Sequence, residues 1–284
     1  MNVLYTIINS QNKRQLFRQI TLPSRIPALY KIANIIKSCL AIAFSLLFTL
    51  FASYGCSKEK TILQANETAM NAKDTTKIED ATALTDVKYL ALGDSYTIGQ
   101  SVHESERFPA QTVRLLRDQN IDISDPQYIA TTGWTTANLI SAIHLENPAK
   151  DFDIVTLLIG VNDQYQHRDT TGYREGFSEL LNTAVDLAAG QKRGVFVLSI
   201  PDYSATPFVA ESDKARVSMQ IDQFNAINKE VTLQNGVSYV DITPSTRQAA
   251  SDPSLTANDG LHPSGTEYAV WASMLAPLIK RVLQ

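Results

Sequence analysis

The sequence predicts an α/β fold, a three-layer α/β/α arrangement in which a parallel sheet carries helices on both faces. Two observations support this. From about residue 86 onward, short apolar runs alternate with longer segments of helical period. That strand–helix–strand order is the pattern of parallel sheets joined by crossover helices. In addition, the residues of greatest chemical interest fall just after the apolar runs, and open parallel sheets place ligands at the carboxyl ends of their strands.

The elements follow in chain order. A strand is expected near 87–92, with the apolar core Tyr89-Leu90-Ala91-Leu92, and a helix near 107–119. A strand near 127–131 and a helix near 135–145 come next. The run Ile154-Val155-Thr156-Leu157-Leu158-Ile159 marks a strand over 153–159, followed by a helix near 171–189. Val195-Phe196-Val197-Leu198-Ser199-Ile200 marks a strand over 194–199, followed by a helix near 214–234. A last strand near 237–241 precedes a helix over 265–282. Ser264-Gly265-Thr266-Glu267 has the spacing of a capping box at the start of that helix. Its apolar face is expected at Trp271, Met274, Leu275, Leu278 and Val282.

The chain divides into three parts. Six of its 25 basic residues lie in 1–38, which holds no acid, leaving 19 basic against 29 acidic residues beyond. An acidic body excludes the basic footprint of a nucleic-acid-binding protein. Residues 38–57 are uncharged and contain a short apolar run ending in small residues, which describes an export signal. Ala52-Ser53-Tyr54-Gly55-Cys56 resembles a bacterial lipobox, with Cys56 as the lipidated residue. Ser53 and Tyr54 depart from the usual pattern, so an uncleaved membrane anchor or an ordinary signal peptide stays open. The parts are then a signal or anchor over 1–56, a polar tether over 57–85 and a globular domain over 86–284. The expected location is the cell envelope, with the body exported and tethered to a membrane through lipid or helix.

Four motifs carry the chemistry. Gly93-Asp94-Ser95-Tyr96-Thr97 places a serine directly after a strand. A serine there is often a helix N-cap. Asp259-Gly260-Leu261-His262-Pro263 sets a carboxylate three residues before an imidazole, at the mouth of the last helix. A serine hydroxyl becomes a nucleophile when a base takes its proton, and a carboxylate orients that base. Between these lie Thr131-Thr132-Gly133-Trp134 and Gly160-Val161-Asn162-Asp163. A glycine N–H and an asparagine amide are donors suited to an oxyanion.

In this order the motifs resemble those of the SGNH/GDSL serine hydrolases, over residues 86–284. The resemblance implies the flavodoxin-like sheet of that family. It also implies Ser95 as nucleophile, His262 as base and Asp259 as its orienter. Ser95 N–H, Gly133 N–H and the Asn162 side chain would form the oxyanion hole. Asp94 and Asp163 sit in the motifs without a reactive role. No cofactor or metal is implied.

Competing templates fail on pattern. The Gly-x-Ser-x-Gly elbow is broken by Thr97, and no lysine follows Gly99 as a phosphate-binding loop requires. Of four histidines, only His262 lies in a suggestive motif; His103, His144 and His167 read as surface or helix residues. Tyr96, Trp134, Gln164, Tyr165 and the loop Pro201-Asp202-Tyr203-Ser204 are candidates for the cleft wall, and 164–171 reads as a polar lip. The expected substrate is a small ester. Lysophospholipase or thioesterase activity and carbohydrate acetyl esterase activity both remain open, as does a non-catalytic surface lipoprotein that uses the cleft for binding.

Overall fold

The computed structural model describes residues 86–284. Cys56, the signal or anchor over 1–56 and the tether to residue 85 lie outside the described residues.

Five parallel strands form one sheet: β1 (Tyr89–Gly93), β2 (Gln127–Ala130), β3 (Ile154–Leu158), β4 (Val195–Leu198) and β5 (Ser238–Val240). Their order is β2-β1-β3-β4-β5. This is the flavodoxin-like order, whose switch point lies between β1 and β3. Every residue of β1, β3 and β4 is buried, which is why these strands read as continuous apolar runs.

Among the described residues, five long helices flank the sheet: α2 (Phe108–Arg117), α3 (Thr136–Glu146), α5 (Thr170–Leu187), α6 (Glu211–Gln234) and α8 (Gly265–Leu283). Three short ones, α1 (Ser95–Ile98), α4 (Val161–Tyr165) and α7 (Thr243–Thr246), follow strand ends. The expected strands and long helices therefore all form, with small shifts at their ends. Right-handed crossovers send α2 to one face, where it packs on α8, and α3, α5 and α6 to the other. On α5 the buried residues Tyr173, Phe177, Leu180, Leu181, Ala184 and Leu187 form one stripe of helical period.

Two expectations for α8 need correction. Its buried stripe runs through Tyr268, Trp271, Ala272, Leu275, Ala276 and Ile279, while Met274 faces solvent. The capping box is only half made. Ser264 Oγ accepts the Glu267 N–H, but the Glu267 carboxylate turns inward. There it accepts from the Trp271 indole at 2.7 Å and from Ser245 at 2.7 Å. A buried indole N–H needs an acceptor, and that demand outweighs the cap.

Phe177 of α5 is fully buried in the hydrophobic core. Phe177→Ala is expected to cost about 3–5 kcal/mol through lost burial and the cavity left behind. Urea unfolding should show this as a lower midpoint with an unchanged slope.

Candidate active site

Ser95 leaves the sheet at the switch point. It is the first residue of α1, and Asp94 caps that helix by accepting the Tyr96 N–H at 3.0 Å. The capping role considered for Ser95 thus belongs to Asp94, which frees the Ser95 hydroxyl. Gly160 ends β3 with φ +128, and a Cβ there would lie 2.6 Å from the Tyr173 ring. Only glycine fits this turn, and the turn starts α4 beside Ser95.

The loop after β2 carries Gly133, whose φ is +82 and whose surroundings are open enough for a ligand to approach its backbone. Three neighbours hold that loop. Asn162 Nδ2 donates to the Trp134 carbonyl at 2.9 Å. Asp163 accepts the Thr136 N–H at 2.9 Å and the Thr136 hydroxyl at 2.8 Å. Thr132 donates to Gln100 at 2.6 Å. An amide nitrogen has two N–H groups, so Asn162 keeps a second donor. Among the described residues, the N–H groups of Ser95 and Gly133 have no internal hydrogen-bond acceptor.

His262 Nδ1 and Asp259 Oδ2 are 2.7 Å apart. Asp259 Oδ1 accepts the backbone N–H groups of Leu261 and His262, so the carboxylate is tied to its own loop as well as to the ring. Burial raises the Asp259 pKa, but the donors from Ser101, His262 and Leu261 outweigh it and hold the carboxyl well below its usual range. No local signal marks Ser101, whose hydroxyl donates to Asp259 Oδ2 at 2.6 Å.

Ser95, Gly133, Asn162 and His262 line one cavity of about 180 Å³, with Asp259 behind the imidazole. Ser95 and His262 share this cavity, but no direct hydrogen bond joins their side chains among the described residues. The apolar wall comprises Tyr96, Val161, Tyr165, Tyr203, Phe208 and Leu261. The rings of Tyr165, Tyr203 and Phe208 form a triangle with centroids 6.3–6.4 Å apart. Of these, Phe208 carries no local signal in the sequence, because it lies in a loop well past its strand.

Other cleft assignments change. Trp134 packs against the core and lends its carbonyl, not its ring, to the site. Gln164 is buried, accepts the Tyr203 hydroxyl at 2.8 Å and donates to Gln220, so it braces a wall residue instead of forming a lip. His103 caps the 3₁₀ turn Glu104–Glu106. Asp202 is buried and accepts from Ser204, Ser218 and Arg247, which fixes the loop carrying Tyr203. Burial raises the Asp202 pKa, and these donors more than reverse it. Among the described residues, no group of three or more His, Cys, Asp or Glu side chains could hold a metal ion. None of the described helices is long and apolar enough to cross a membrane.

The sequence matches the GDSL-like Lipase/Acylhydrolase family over residues 91–270. Among solved structures, TesA superposes with a TM-score of 0.55 at 17% identity, covering 69% of this chain and 99% of that one. A lipase from a goat rumen metagenome gives 0.55 at 19% identity, covering 68% and 97%. An acetylxylan esterase from Geobacillus stearothermophilus gives 0.52 at 19% identity, covering 69% and 94%. At these identities the likeness is one of fold. No curated protein matches in sequence.

Asp94 is fully buried and its Oδ2 has no partner. Burial, opposed by the Tyr96 N–H and reinforced by the Asp163 charge, pushes its pKa up to about 8. The folded state therefore binds one more proton than the unfolded chain between about pH 4 and pH 8, and stability falls as pH rises across that window. Asp94→Asn keeps an acceptor for Tyr96 and has no charge to bury. Its stability relative to the parent should grow from pH 4 to pH 8 and level off above. Denaturant melts at pH 4, 6 and 8 measure this.

Proposed function

We propose that this chain, which belongs to the GDSL-like lipase/acylhydrolase family and is a carboxylic ester hydrolase, works through an acyl-serine intermediate on Ser95. Asp259 and His262 are its orienter and base. Ser95 N–H, Gly133 N–H and Asn162 form its oxyanion hole. The observation that carries the reading is the convergence of Ser95, Gly133, Asn162 and His262, from four separate segments of the chain, on one cavity.

His262 takes the Ser95 proton as Oγ attacks the ester carbonyl. The carbonyl oxygen becomes an oxyanion facing the three donors. Collapse of the tetrahedral intermediate breaks the bond to the alcohol, which takes its proton from His262. Water, deprotonated by His262, then attacks the acyl-serine and releases the acid, and the proton returns to Ser95. Asp259 stays ionised throughout and stabilises the imidazolium.

The cavity supports a small acyl group. An apolar cavity of about 150 Å³ holds benzene, and this one is of similar size with aromatic and aliphatic walls. An acyl chain of about two to six carbons fits it, and a longer chain would run out past Tyr165 and Phe208, which are about half exposed. For location, we propose export and membrane attachment through Cys56, supported by the basic and apolar pattern of residues 1–57. Mass spectrometry of the protein from its native host should find lipid on Cys56. An intact N-terminus from Met1 with no lipid would favour an uncleaved helix.

Ser95→Ala should abolish turnover and labelling by a fluorophosphonate, while full activity in that variant would end this reading. Asn162→Ala should lower kcat on the order of 10²–10³ with the fold kept. Across p-nitrophenyl esters, kcat/KM should peak at or below six acyl carbons. A maximum at twelve or more would contradict the substrate assignment.

A further inference from the structure

We propose that Ser101 is a positioning residue, whose hydroxyl fixes the Asp259 carboxylate in the orientation from which it aligns His262. This rests on the acid–base pair proposed above. Asp259 has four hydrogen-bonding neighbours. Three belong to its own loop: the N–H groups of Leu261 and His262 on Oδ1, and His262 Nδ1 on Oδ2. These turn with the loop and cannot fix its orientation toward Ser95. The fourth is Ser101 Oγ, at 2.6 Å from Oδ2 and 158 residues away in sequence. Ser101 follows directly on the turn that ends α1, so it links the acid–base loop to the same short segment that begins with Ser95.

The backbone supports this reading. Ser101 has φ +69, a left-handed conformation that glycine and asparagine favour and that costs a serine on the order of 1 kcal/mol. Glycine would relieve that strain but would remove the donor. The residue before it makes a matching contact on the other side of the cavity, where Gln100 accepts the Thr132 hydroxyl beside Gly133. The corner at 100–101 is thereby bonded to the loop bearing one oxyanion donor and to the loop bearing the base. Further along, Gln111 Nε2 bonds both the Glu106 carbonyl and the Gly265 carbonyl, fastening the same strap to the start of α8.

Ser101→Gly separates positioning from folding. Because glycine tolerates the backbone angle, the variant should melt at the parent temperature or higher. Its kcat should nevertheless fall about tenfold, the scale of one hydrogen bond to a charged group, with KM within twofold. In an Asp259→Ala background, Ser101→Gly should cause no further loss of kcat, since there is no carboxylate left to hold. An unchanged kcat in Ser101→Gly, beside a large loss in Asp259→Ala, would overturn the role of Ser101 alone. The same fold loss in both backgrounds would also overturn it, by showing a general structural effect. A normal kcat in Asp259→Ala would overturn the acid–base pair and this proposal with it.

Discussion

The parallel pairing of β1 with β3 is the constraint on which the rest depends. It sets Tyr89 beside Ile154 and Gly93 beside Leu158, so both strands end at the same level. The chain then leaves the sheet at two adjacent points, one leading to Ser95 at the start of α1 and the other to Asn162 in α4. Both strands are buried on both faces, so polarity alone would not penalise a register slip strongly. A buried hydrogen bond between Tyr89 and Thr156 at 3.1 Å supplies the missing specificity, because any shift would strand both hydroxyls in the core. The switch point of the sheet and the site are thus one feature.

Around that centre the loops are held by buried polar groups, each satisfied from a distant part of the chain. Asp163 holds the start of α3, and Asn162 holds the Trp134 carbonyl. Asn225 of α6 accepts the Ile200 N–H and donates to the Ile200 carbonyl, closing the end of β4. Asp202 and Arg247 lock the loop that presents Tyr203. Buried polar groups are costly unless paired, so each pair permits one loop geometry and penalises the others. The site is accordingly set by a rigid frame, and Tyr165, Tyr203 and Phe208 stand on its apolar wall.

The sequence made the frame legible because its signals are local. Buried parallel strands leave unbroken apolar runs, and α5 leaves a regular stripe at Tyr173, Phe177, Leu180 and Ala184. The four motifs were legible for the same reason, since each follows a strand or precedes a helix. What stayed hidden depends on partners far away in sequence. Nothing near Ser101 announces Asp259, and nothing near Glu267 announces that Trp271 and Ser245 would draw it from its cap. Trp134 and Gln164 were drawn to the cleft by their neighbours in sequence, but packing turned the first to the core and the second to Tyr203. Phe208 reaches the cavity through a loop tied to the segment bearing His262 by the bond from the Phe208 N–H to the Gly260 carbonyl.

The proposed oxyanion hole places Ser95 N–H, Gly133 N–H and the Asn162 side chain around one position. A crystal structure of the protein after reaction with a small alkyl phosphonate tests it most directly. Phosphorus should be bonded to Ser95 Oγ, with one phosphonyl oxygen about 2.7–3.1 Å from all three donors. An adduct on Ser95 whose oxygen points away from Gly133 and Asn162, or an adduct on another residue, would contradict it.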